Sequence, residues 1–418
     1  MTYKLVLNAD VAHLEFLNKD KKYSNGDIEI FDMMFNYFSL NRVLITILVT
    51  QKTWVKETSN FRKNLILLKD RGLIQDYYII DLINPIHEKI SKNIFQSIKI
   101  KFSSLKKKKE YSKEFSKIVN SVNPNFLISF QDIFPIYYNS NVPLVVWGLH
   151  HSDYSIRYNF NKKKSRFFSK ELLNLKLFFN NFLFNKSVRK VSLNLCPSLY
   201  YGPMNEKNFK NKPKVFYFSH PANDLKRKQP SFQFNSKKII TLIGTTHTTW
   251  GKANIDFLLD EILKYHYEEL SDFEFHIVGQ NKYSKIGNQN SINKHYNVKL
   301  CGFVDDLFSK IIRSDVILHA IKIPPTSGYK LPNICSAYPC LLLHKEAFKG
   351  LPELFRNKAC LSATSGKDFV RKLKILTTNR SLALKIRENA RKVYDEHYSL
   401  NNFSRIMKKC EETVFKES

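Results

Sequence analysis

Gly244-Thr245-Thr246-His247-Thr248-Thr249-Trp250-Gly251-Lys252 combines the residue types that a bound diphosphate needs. Glycine and small hydroxyl residues let phosphate oxygens approach the backbone, and a lysine close by offsets their charge. The loop Pro324-Pro325-Thr326-Ser327-Gly328-Tyr329-Lys330 offers similar chemistry through its amides and its terminal lysine. Gly279 ends the run Phe-Glu-Phe-His-Ile-Val-Gly, and Gly302 ends Val-Lys-Leu-Cys-Gly. His150 and His151, with Asp153 close behind, follow the apolar run Pro143–Trp147. Taken singly, each pattern has a plainer explanation. A strand-to-helix turn uses glycine without any ligand, and a histidine after a strand can be structural or simply exposed. None of these loops is a Walker loop or a clean GxGxxG.

Such loops act only where strands deliver them. Runs such as Ile239-Ile240-Thr241-Leu242-Ile243 and Leu44-Ile45-Thr46-Ile47-Leu48-Val49 suit parallel sheets covered on both faces. Strands are expected at Tyr3–Leu7, Arg42–Val49, Tyr77–Leu82, Phe126–Ser129, Pro143–Trp147 and Val191–Leu195. A second series follows at Lys238–Ile243, Phe273–Val278, Val298–Leu300, Asp315–His319 and Cys340–Leu343. Ile28, Phe31, Met34, Phe35 and Phe38 have helical spacing. Further helices are expected at Ile255–Leu263 and at Leu307–Arg313, the latter with Asp305 as its N-cap. In an open α/β sheet, phosphorylated ligands bind where a loop leaves a strand's carboxyl end and opens a helix. The polar stretch Asn205–Asn235, with Pro213, Pro221 and Pro230, reads as a linker between two βα domains.

A chain of 418 residues suits two such domains, and its 43% hydrophobic content can fill two cores. Six cysteines lie scattered without metal-type spacing and are expected to be buried free thiols. The N-terminus reads as a first strand rather than a signal peptide, and no apolar run approaches the roughly 20 residues of a spanning helix. A cytoplasmic location is therefore expected. The net charge of +30 fits either a composition rich in Lys, Asn, Ile, Phe and Tyr or an anionic partner surface. Lys106–Lys109, Lys162–Lys164 and the Phe- and Leu-dense segment Arg166–Lys190 suit an anionic membrane surface, or an amphipathic core helix with a solvated basic face. No nucleic-acid motif accompanies the charge, so nucleic acid is disfavoured as a partner.

The order of these signals is more specific than any one of them. From Lys238 onward the chain resembles the C-terminal domain of GT-B glycosyltransferases, in particular glycosyltransferase family 4 (group 1). The resemblance rests on Gly244, Lys252, Gly279, Gly302–Asp306, Ser314–Ala320, Pro324–Lys330, Pro339–Leu343 and the closing segment Glu388–Ser399. Asn25-Gly26-Asp27 sits where such enzymes carry a glycine loop, and Pro143–His151 parallels their strand-and-histidine pattern. One departure stands out. The family presents a Glu, often a spaced pair, around its donor loop, but Thr326–Pro339 holds no acid and Asn333 falls at the ribose-contacting position.

The resemblance implies an α/β fold of two Rossmann-like domains (GT-B) facing across a cleft. The expected divisions are 1–210 for an acceptor domain, 211–235 for the linker, 236–395 for a nucleotide-sugar donor domain, and 396–418 for a helical tail crossing back to the first domain. It implies transfer of a sugar, hexosyl or related, from a nucleotide-sugar to a surface-glycan or lipid-linked polysaccharide acceptor. Configuration would be retained, with no cofactor and no metal, at the inner face of a membrane. The implied donor contacts are Gly26, Gly244, Thr245, Lys252, Gly279, Ser327, Gly328, Tyr329, Lys330 and Asn333, with His150 or His151 at the sugar. Two alternatives stay open: a non-catalytic GT-B-like binding or scaffold subunit, and a sugar-nucleotide epimerase of the same fold.

Overall fold

Parallel pairing throughout accounts for the chain's long apolar strands, because both faces of each sheet must be covered by helices. The computed structural model describes residues 3–10, 26–52, 59–82, 110, 112–130, 138–147, 190–196, 214–219, 221–225, 232, 237–244, 249–279, 297–322 and 330–417. The chain divides into two units. Met1–Cys196, Tyr201–Phe218 and Met407–Ser418 form the first; Pro197–Tyr200 and Ser219–Ile406 form the second.

In the first unit the strands are β1 (Lys4–Asp10), β2 (Leu44–Lys52), β3 (Asp76–Leu82), β4 (Phe126–Ser129), β5 (Leu144–Trp147), β6 (Leu193–Cys196) and β7 (Lys214–Tyr217). They form one seven-stranded sheet in the order β3-β2-β1-β4-β5-β6-β7, parallel throughout. Helices α1 (Gly26–Leu40) and α2 (Ser59–Asp70) follow β1 and β2, and α3 covers residues 112–122. Val6, Leu48, Leu127 and Val146 pack on one sheet face with Phe115 and Val119 of α3. The alternate residues Leu5, Leu7, Ile45 and Ile47 are buried as well.

β7 lies inside the stretch expected to be a linker. The apolar run Val215–Phe218 has enough strand character to add an edge to the first sheet, so the flanking prolines bound a strand.

Strands β8 (Lys238–Ile243), β9 (Phe273–Val278), β10 (Val298–Gly302), β11 (Val316–His319), β12 (Leu341–His344) and β13 (Cys360–Ala363) make the second sheet. Its order is β10-β9-β8-β11-β12-β13, again all parallel. The helices are α4 (Thr249–Phe257), continued by a π-helical turn (Leu258–Leu263), α5 (Leu307–Ile312), α6 (Lys330–Cys335), α7 (Pro352–Arg356), α8 (Gly366–Thr378), α9 (Arg380–Val393) and α10 (Leu400–Glu417). Side-chain alternation sorts them onto two faces. Ile240, Leu242, Phe275, Ile277, Leu318 and Leu342 meet α4, the π turn and α8. Ile317, Leu341 and Leu343 meet Ile311 of α5, Ile334 of α6 and Val393 of α9. This is a doubly wound sheet.

Two expectations need correction here. α5 is capped by Asp306 and not by Asp305: the Asp306 carboxylate accepts from the Ser309 amide at 3.0 Å and the Ser309 hydroxyl at 2.7 Å. β13 was not expected, because Cys-Leu-Ser-Ala carries no β-branched or aromatic residue to mark it.

The last turns of α10 pack with the first unit, where Phe415 meets the rings of Tyr3 and Phe126 at 5.1 and 5.8 Å. Five cysteines are buried and Cys301 is partly so; all six are free thiols. Among the described residues no helix is long and apolar enough to cross a membrane.

The π turn makes one close approach testable. Gly366 opens α8 directly against it, and a Cβ at Gly366 would lie 1.8 Å from the Glu261 carbonyl oxygen. Gly366→Ala should therefore overpack this contact and cost about 1–3 kcal/mol or more. Scanning calorimetry of the full chain should show a lowered transition for the second unit; an unchanged one would contradict this packing.

Candidate functional site

In the second sheet β8 is central, with β9 and β10 wound to one side and β11 to β13 to the other. The chain thus reverses its winding direction between β8 and β11, and the carboxyl edge at such a reversal is where α/β sheets take ligands. The loops after β8 and β11 are the two that carry the diphosphate-type residues.

Three glycines punctuate this edge. The Gly244 amide donates to the Val278 carbonyl at 2.8 Å, and the Gly279 amide donates to the Gly302 carbonyl at 2.8 Å. Gly279 and Gly302 have φ of 147° and 65°, values that disfavour a side chain. Gly244 differs: a Cβ built on it meets nothing within 4 Å among the described residues, so this end of β8 is not closed by them.

Lys252 lies in the first turn of α4, half-buried, and makes no ion pair among the described residues. Lys322, beyond β11, is by contrast held by Glu261 at 2.8 Å and lies over the Phe257 ring. Lys330 opens α6. Its side chain reaches solvent, yet the protein packed around its root lowers its pKa below the usual lysine value.

Sequence reasoning missed two residues here. Asn254 of α4 is buried and accepts the Ala320 amide at 2.8 Å, tying the helix after β8 to the exit of β11. His319, the last residue of β11, has a buried Nδ1 with no hydrogen-bond partner among the described residues. Burial holds its pKa down to about 4, with further lowering from His344 at the end of β12, so the ring is neutral at pH 7. His344 itself packs against Phe257 and Phe369 at 5.9 and 6.3 Å, and burial lowers its pKa too. A histidine ending a strand just before a Pro/Gly loop is the signal that marks His319 in the sequence. Asn254 leaves none.

Of the expected site residues, Gly244, Gly279, Lys252 and Lys330 lie in the second unit at or beside this edge. Asn333, on α6, donates its amide Nδ2 to the Asn223 carbonyl at 3.0 Å. Gly26 opens α1 in the first unit. His150, His151, Thr245, Ser327, Gly328 and Tyr329 lie outside the described residues, as do Lys106–Lys109, Lys162–Lys164 and residues 166–189 of the basic segment.

Gly244 at the end of β8, a lysine in the first turn of α4 with no ion pair among the described residues, and a solvent-reaching lysine at the start of α6 suit an anionic ligand. Neither a protein-family model nor a curated protein matches the chain. Solved structures do match, over essentially its whole length. HepE of Anabaena in complex with UDP shares 12% identity, covering 99% of this chain and 100% of its own, with a TM-score of 0.61. A glycosyltransferase from Rickettsia africae shares 14% with full coverage of both chains and a TM-score of 0.65. Sucrose-phosphate synthase from Thermosynechococcus elongatus shares 9%, again with full coverage, and a TM-score of 0.66. The chain has the GT-B fold. At these identities the likeness is one of fold, and within GT-B the residues just described occupy the carboxyl edge of the second Rossmann-like unit.

His319 provides a test of how this edge is built. Unfolded, it takes a proton near pH 6.5; folded, it resists until about 4. The native state is unaffected above pH 6.5 and loses stability as pH falls from 6.5 to 4, by on the order of 3 kcal/mol. His319→Gln should make the second unit's transition less acid-sensitive over that window in calorimetry. An identical pH dependence in the variant would show that His319 is not buried as described.

Proposed function

We propose that this protein is a glycosyltransferase that moves a sugar from a nucleotide-sugar to a surface-glycan or lipid-linked polysaccharide acceptor. The observation that carries the reading is Gly244, against which a Cβ would meet nothing among the described residues, at the end of β8 and followed by Lys252 in the first turn of α4, at the β8/β11 winding reversal of a GT-B second unit. Support also comes from HepE, whose structures hold UDP and UDP-glucose.

In this reading the diphosphate lies over Gly244 and Thr245, with Gly279 leaving room at the neighbouring strand end. Lys252 and Lys330 flank it, and the amides of Ser327, Gly328 and Tyr329 bind phosphate or sugar oxygens. Gly26 lets the loop of the first unit approach the phosphates. His150 or His151 contacts the sugar. The bond between the sugar's anomeric carbon and the diphosphate oxygen breaks, and an acceptor hydroxyl forms the new bond on the same face. The acceptor's proton passes to the departing diphosphate. Negative charge grows on that leaving group, so cations fixed beside it favour the transition state over the ground state. The two lysines fill the role a metal ion has in other transferases. The acceptor binds the first unit, and the basic segments of that unit hold the enzyme to an anionic membrane surface on the cytoplasmic side.

A second reading is favoured by one observation: the segment Thr326–Pro339 contains no acid. A binding or scaffold subunit of the same fold would keep nucleotide affinity without turnover.

The full chain, incubated with a panel of nucleotide-sugars with and without lipid-linked acceptors, should consume one donor. Gly244→Ala and Lys252→Ala should each keep the wild-type unfolding transition while turnover of that donor falls on the order of 10²-fold. Nucleotide binding without turnover would establish the scaffold reading. Failure of every donor to bind would overturn both.

A further inference from the structure

Helix α6 is six residues long, far below the length at which a helix is stable by itself, so its neighbours must fix it. Leu331, Ile334 and Cys335 seat it in the apolar cluster with Ile317, Leu341 and Leu343. Apolar contact sets its depth but is non-directional, and leaves rotation and axial position to hydrogen bonds. Those bonds run to one short stretch of chain, Pro221–Leu225. Asn333 Nδ2 donates to the Asn223 carbonyl at 3.0 Å. The Ser336 hydroxyl accepts the Leu225 amide at 2.9 Å and donates to the Asn333 carbonyl at 2.7 Å.

The same stretch is fastened along its other side. Arg391, buried on α9, makes a two-pronged pair with Asp224 at 2.7 and 2.9 Å, and also donates to the Ser336 carbonyl at 2.8 Å. Burial alone would lower the Arg391 pKa; its bonds to Asp224 and Asp395 outweigh that and raise it. The Ala222 amide donates to the Tyr398 carbonyl, and the Tyr394 hydroxyl to the Ala222 carbonyl, both at 2.9 Å. Residues 221–225 therefore form a fixed strap, and α6 is pinned to it.

We propose that Asn333 is a positioning residue: its amide NH2 locks α6 to this strap and so sets where Lys330 meets the donor. This rests on the donor reading above and gives Asn333 a different task from that of a ribose ligand. The chemistry separates the two roles. A carboxylate at this position would keep an acceptor for a ribose hydroxyl, but it cannot donate to the Asn223 carbonyl and would repel it.

The test uses the full chain and UDP, the nucleotide held by HepE. Hydrogen exchange is measured without ligand at 219–225 and 330–337, and UDP affinity by calorimetry. Asn333→Asp and Asn333→Ala should both speed exchange in the two segments together and weaken UDP about 5- to 10-fold. Ser336→Ala, which removes the neighbouring bond, should act in the same direction. Asn333→Gln, which keeps an NH2 donor, should recover part of both losses. Asn333→Asp binding UDP as tightly as the wild type, with exchange unchanged, would overturn the proposal and make Asn333 a ligand. Should the wild type bind no UDP at all, the donor reading fails, while the ligand-free exchange still decides whether Asn333 pins α6.

Discussion

The pairing of β8 with β11 is the constraint on which the second unit depends. Only two register pairs join these strands directly, Val316 with Ile240 and Ile317 with Thr241. The contact is reinforced just outside them. Asp315 bonds Ile239 twice, its amide donating to the Ile239 carbonyl at 2.8 Å and its carboxylate accepting the Ile239 amide at 2.7 Å. Thr241 and Ser314 join their hydroxyls at 2.6 Å in the buried layer beside them. Arg387 then reaches in from α9 and donates to the carbonyls of Ser314 and Asp315 at 2.7 and 3.2 Å, and to Tyr338 at 2.9 Å. A buried guanidinium is costly unless its donors are matched, and here backbone carbonyls and the face of Phe232 at 4.3 Å match them. Loss of this junction would separate the two halves of the sheet at the point where the winding direction changes.

The geometry of the site follows from that junction. Because β8 and β11 are adjacent and parallel, their carboxyl ends lie side by side, although their sequences lie about 80 residues apart. Asn254 carries the link one step further by joining α4 to the exit of β11, 66 residues away. The result is an edge that holds Gly244 at the end of β8, with Lys252 on the helix after β8 and Lys330 on the helix after β11. A pre-set arrangement of this kind lets charge on a leaving group be met without reorganisation.

Much of this fold was legible in the sequence. Strands β8 and β9 have the bounds read from the sequence, and the polar residues inside β9 do not interrupt it because Glu274 and His276 are buried as a mutually bonded pair. β7 was harder: its apolar run is short and framed by proline, so only its pairing partner reveals it as an edge. At α5 two adjacent acids compete for the cap, and the choice of Asp306 depends on reach to Ser309, which spacing alone does not distinguish. In the site, glycines and lysines could be read because their chemistry is local. The bonding partners of Asn254 and Asn333 could not, since they lie 66 and 110 residues away and a side-chain amide gives no hint of which distant carbonyl or amide it meets.

A crystal structure of the full chain with UDP tests the central claim most directly. The account predicts a diphosphate over Gly244 within hydrogen-bonding distance of Lys252 or Lys330. UDP seated away from the β8/β11 edge, or no UDP at millimolar concentration with that edge intact, would contradict it.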